Sequence, residues 1–66
     1  MAVMKVIEIM ANSNESWEDA TRKAVAEAAK SVKNIQSAYV REQSVVVNKN
    51  QVTEFRVNLK ITFKVE

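Results

Sequence analysis

The side chains best able to do chemistry in this sequence are its charged ones, because histidine and cysteine are both absent. Without histidine, the usual proton shuttle near neutral pH and the commonest metal ligand are missing. Without cysteine there is no thiolate nucleophile, thiolate metal site or disulfide. The sequence keeps 8 Asp and Glu against 10 Lys and Arg. No two carboxylates are spaced to flank a pocket, and no nucleophile has a base placed beside it, so we expect no enzyme. Glycine is also absent, which excludes any glycine-rich phosphate loop. Binding chemistry remains. Arg56 and Lys60, continued by Lys64, would form a basic row able to attract phosphate-bearing ligands where copies converge. The plainer alternative for that row is a solvated face with cross-strand ion pairs, for example to Glu42.

These cations sit in the clearest strand signal of the chain. Phe55, Val57, Leu59, Ile61, Phe63 and Val65 occupy one face, and Glu54, Arg56, Asn58, Lys60, Thr62 and Lys64 the other. A second strand, Ser37 to Val47, precedes it across the polar turn Asn48-Lys49-Asn50-Gln51, and the pair should form a long antiparallel hairpin. Upstream, Val3 to Met10 is β-branched and almost wholly apolar, which predicts a strand covered on both faces. Asn12-Ser13-Asn14-Glu15 reads as a loop. Ser16 with Asp19 resembles a capping box, and Ser13 is the competing cap. From Trp17 the period becomes helical: Trp17, Ala20, Ala24, Ala28, Val32 and Ile35 recur every three or four residues. Glu18–Arg22 and Asp19–Lys23 are favourable pairs on the wet side. Trp17 is expected in the core or a subunit interface, and Met1, Met4 and Met10 in packing.

The fold expected is α+β: a β-α-β-β domain spanning residues 1–66, with a three-stranded antiparallel sheet curved over one helix. A domain of 66 residues has a thin core. Chains this small usually need disulfides, a metal or oligomerisation to stay folded, and here oligomerisation is the support left. Strands this long leave open edges that a single helix cannot protect, so ordered self-assembly is expected. The scattered basic residues lack the stripe with interleaved aromatics of a nucleic-acid binder. No apolar run approaches the ~20 residues of a membrane span, and no small-residue cleavage site follows the first strand, so a cytoplasmic location is expected.

The order and wording of these segments resemble the dodecin family. The resemblance is carried by Lys5-Val6-Ile7-Glu8-Ile9, by Ser13 and Ser16-Trp17-Glu18-Asp19-Ala20, and by Ala24 and Val32-Lys33-Asn34-Ile35. It continues through Val40 and Glu42 to Phe55-Arg56-Val57, Leu59-Lys60-Ile61 and Phe63-Lys64-Val65. It implies a hollow homododecamer that stores or buffers small ligands at its symmetry axes, flavins such as riboflavin and FMN first among them. The family's flavin-stacking tryptophan aligns with Ser37, and its flavin-bonding glutamine with Arg56. Serine offers no ring, so stacking of ~1–3 kcal/mol is lost. Arginine has donors only and cannot copy the amide. Tyr39, on the same strand face as Ser37, is the substitute platform if flavin binds. The sequence around Ser37 is similar to a subgroup lacking the tryptophan and described as calcium-binding. Calcium takes 6–8 oxygen ligands, and Ser13, Asn14 and Glu15 are the candidates, against a plain helix-capping role. A purely structural or interaction module is the remaining reading.

Overall fold

A computed structural model describes residues 3–65. Its elements are β1 (Val3–Ser13), α1 (Trp17–Ala28), β2 (Ile35–Asn48) and β3 (Gln51–Val65). β3, the strand with the cleanest alternation, lies in the middle of a sheet ordered β1-β3-β2, antiparallel to both neighbours. Its inward residues Val57, Leu59 and Ile61 are fully buried. The register sets Ala11, Ile9 and Ile7 beside them on β1, and Val40 and Ala38 beside Leu59 and Ile61 on β2. α1 lays Ala20 and Ala24, the other buried apolar residues, across this face. Alanine brings the helix axis close to the sheet, at little side-chain entropy cost.

The helix start uses both candidate caps. Ser16 is the N-cap, its Oγ accepting the Asp19 N–H at 2.9 Å. Ser13 is buried. Its hydroxyl accepts the N–H groups of Glu15 at 2.9 Å and Ser16 at 3.4 Å, and donates to Asp19 Oδ2 at 2.6 Å. The helix ends at Ala28, sooner than the apolar stripe through Val32 and Ile35 predicts. The N–H groups of Ser31 and Val32 both turn back onto the Ala28 carbonyl, and Asn34 reverses the chain at φ 63°. With no Gly or Pro to mark the stop, the apolar spacing simply runs on into the turn, and Ile35 reaches the core from β2 instead.

Two further expectations need correction. β1 runs on through Asn12 and Ser13, because these polar residues still pair with Arg56 and Phe55. Only one face of β1 is covered in the subunit: Met4, Val6 and Met10 are 45%, 56% and 61% exposed on the other. The β2–β3 turn tightens to Lys49-Asn50, both left-handed at φ 53° and 64°, a geometry that matches the twist of the flanking strands. β2 is irregular in register at Ile35/Ser37, Val40/Glu42 and Val46/Val47.

The sheet outgrows its helix. β1 last pairs at Ser13↔Phe55, so residues 46–54 project as a bare two-stranded arm, and the molecule is 51 Å long but 19 × 14 Å in section. Its radius of gyration is 13.5 Å, against ~11 Å for a compact chain of this length. Its surface is 4989 Å², where scaling with mass gives ~4200 Å².

Candidate functional site

The face of the sheet turned away from α1 carries the residues that sequence reasoning singles out for flavin or phosphate binding. Ser37 pairs with Thr62, Tyr39 with Lys60, and Ser44 with Arg56. On the β1 side Glu8 lies opposite Lys60 and Asn12 opposite Arg56. Paired residues share a face, so Ser37, Tyr39, Lys60 and Arg56 all point outward, and Tyr39 is 66% exposed.

They do not converge within one subunit. Tyr39 sits level with Lys60, about 13 Å along the strand from Arg56, and Ser37 sits about 20 Å away. The residues of a single subunit therefore do not form a flavin cradle. Ser37 presents no ring, and Arg56 is already engaged: its Nε donates to Asn12 Oδ1 at 3.1 Å, while Asn12 Nδ2 donates to Glu54 Oε1 at 2.8 Å. This relay orients the guanidinium along the sheet.

The ion pair on this face is not the expected one with Glu42. The irregularity between Val40 and Glu42 leaves Arg41 outside the β2–β3 register. Its guanidinium crosses β3 to Glu8 on β1, Nη1 to Oε2 at 2.8 Å. The hydrogen bond to Glu8 raises the Arg41 pKa further. Sequence reasoning missed Arg41, because a bulge that redirects one side chain leaves no periodic trace, and it gave Asn12 and Glu54 no role beside Arg56.

The calcium candidates lie at the helix start. Asn14 and Glu15 are exposed. The Ser13 hydroxyl has one proton and two lone pairs, and all are used within the subunit. Its hydrogen bond, with that of Lys23 at 2.9 Å, holds the Asp19 carboxyl below the usual carboxylate range. Among the described residues no three carboxylates group together as for a metal. The arrangement is a rigid helix cap, and its Ser–Asp–Lys sequence of contacts gives no nucleophile, because Ser13 is buried and spent on backbone donors.

Two grooves flank the helix. One, of about 500 Å³, opens between α1 and β1 over a floor of Ile7, Ile9, Ala24 and Ala28, with Lys23 and Glu27 at its rim. The other, beside β2, is lined by Trp17, Arg22, Val40 and Gln43. Trp17 meets Phe55 edge-on, centroids 5.1 Å apart, and its Nε1 donates to the Ser44 carbonyl at 3.0 Å.

Comparison with known proteins places this helix, three-stranded sheet and projecting two-stranded ribbon. The profile of the Dodecin family matches residues 3–66. The calcium dodecin of Mycobacterium tuberculosis is 41% identical over 64 residues, 97% of this chain and 90% of the relative. The crystal structure of that calcium-chelating protein, described as having a novel calcium-binding site, matches with a TM-score of 0.85, covering 97% of this chain and 91% of the other. A dodecin variant from Thermus thermophilus matches with a TM-score of 0.94 at 29% identity, over 100% of this chain and 98% of the other. The dodecin of Streptomyces coelicolor gives 0.94 at 25% identity, over 98% and 93%. The chain belongs to the dodecin family.

Proposed function

We propose that this protein is a homododecameric dodecin shell that sequesters small ligands or ions without catalysis, and that its flavin-stacking site is degraded. The observation that carries the assembly is surface that one subunit cannot cover. Both edge strands are long, and Met4, Val6 and Met10 lie bare along one of them. Exposed edges and apolar patches of this kind mark sites of association. The degraded site follows from Ser37 and Arg56. One lacks a ring, and the other is held by Asn12, so a ligand that touches both must bridge subunits. A cytoplasmic location goes with this reading; no described helix is long and apolar enough to cross a membrane.

The test is native mass spectrometry of protein purified without added ligand. It should show twelve times the 7.5 kDa subunit, with any co-purifying mass other than a flavin. A monomer, or a flavin-loaded shell, would refute the corresponding half of the proposal.

Calcium is a second reading, supported by the identity to the M. tuberculosis calcium dodecin. With no carboxylate trio among the described residues, such a site would gather Asn14 and Glu15 from several copies at a symmetry axis. Calorimetric titration with calcium decides it: heat that disappears in Glu15→Gln supports the site, and no heat in the assembled protein removes it.

A further inference from the structure

One of the two ion pairs expected along α1 stays open. Asp19 and Lys23 close at 2.9 Å. Glu18 and Arg22 have the same spacing, yet among the described residues neither joins an ion pair. Asp19 does not stand in for Glu18, because its carboxylate is bound by Ser13 and Lys23. Glu18 and Arg22 instead line the groove beside β2, about 340 Å³ in volume, over a floor of Trp17 and Val40. The register adds a third polar group. Gln43 pairs with the fully buried Val57, so it stands on the helix side of the sheet, among positions that β2 otherwise gives to Ala38, Val40 and Val45. It lines the same groove, and among the described residues its amide makes no hydrogen bond. The floor is fixed in advance: the indole Nε1 donates to the Ser44 carbonyl at 3.0 Å, and the ring rests edge-on against Phe55. The volume lies at the small end of the ~300–1,000 Å³ of ligand sites. A cation and an anion one helical turn apart, above an apolar floor of that size, suit a small zwitterion.

We propose that this groove binds a free α-amino acid with an aromatic side chain. Arg22 donates charge-assisted hydrogen bonds to the carboxylate. Glu18 and the Gln43 amide oxygen accept the ammonium protons. The ring lies on Trp17 and Val40, where aromatic contact adds to simple burial. A lone anion would meet the Glu18 carboxylate and a lone cation the Arg22 guanidinium, so the groove favours a guest that carries both charges. The site is on the opposite side of the sheet from Ser37 and Arg56, and it does not depend on the proposed cargo of that face. Glu18, Arg22 and Gln43 are exposed, which limits the affinity to the order of 1 mM.

The test is saturation-transfer NMR on the intact protein, with protein methyl protons irradiated and the ring protons of added L-phenylalanine observed. Phenylalanine should receive saturation and titrate with a dissociation constant on the order of 1 mM. Phenylalaninamide lacks the carboxylate and N-acetylphenylalanine lacks the ammonium, so each should bind about three- to fivefold more weakly. Arg22→Gln should weaken phenylalanine by about the same factor without weakening phenylalaninamide. Glu18→Gln should do so without weakening N-acetylphenylalanine. The analogues probe the same contacts with no substitution, so the result stands even where a variant fails to fold. No transfer to phenylalanine at about 20 mM overturns the proposal. Equal binding of all three compounds does so too, as does parental affinity in both folded variants.

Discussion

At the residue scale, the proposed loss of flavin stacking rests on positions 37 and 56. Ser37 removes an aromatic platform, and Arg56 replaces a paired donor and acceptor with donors alone. The parent should leave riboflavin fluorescence unquenched, whereas Ser37→Trp/Arg56→Gln should quench it. Failure of the double variant to quench, in an assembled protein, would show that more than these positions has changed. Asp19 carries a different prediction. The Ser13 and Lys23 contacts depress its folded pKa. Its stabilising effect is therefore fully present above the ordinary carboxylate value and is lost as pH falls through the folded one. Asp19→Asn should unfold at lower urea than the parent at pH 7, and the gap should close below about pH 4. A gap unchanged at pH 3 would exonerate the carboxylate. That Ser16 caps the helix was readable from Ser16 and Asp19 alone. The part played by Ser13 was only half readable, since its second role depends on β1 carrying it to the helix start.

At the level of elements, the core rests on very few side chains: Ala20, Ala24, Val57, Leu59 and Ile61. Leu59 lies at its centre, between Ile9 and Val40. Leu59→Ala should cost about 2–5 kcal/mol, read as a shift of the denaturation midpoint at unchanged slope. A cost under 1 kcal/mol would mean that assembly, not this core, holds the fold. β3 was legible residue by residue because one face is buried and period two is strict. For β1 the lone subunit covers one face only, and a nearly continuous apolar run looks the same whether its second cover comes from its own chain or from another. The bulges of β2, which send Arg41 across to Glu8, left no pattern to read. For that reason the polar face of the sheet was legible as a list of residues and not as a geometry.

For the whole molecule, the excess length and area support the proposed self-assembly, which would couple folding to association. The midpoint of thermal unfolding should rise with protein concentration, as mass action requires when only the folded subunit binds its copies. A midpoint constant from 1 to about 100 μM would argue for a subunit that is stable alone. The candidate binding site was the least legible part for the same reason. Ser37 and Arg56 lie about 20 Å apart on one face, and a single sequence does not spell out which symmetry would bring copies of them together.

Trp17 is the one tryptophan of the chain, and its position has a spectroscopic consequence. Its indole is hydrogen-bonded to Ser44 and set edge-on against Phe55, at the root of the arm. Intrinsic emission therefore watches a single joint, the start of α1 against the base of the β2–β3 ribbon. Prising the arm from its base would wet the indole and shift its emission to the red, while the circular dichroism of the sheet stayed nearly constant. The molecule carries its own optical gauge of whether that joint is closed.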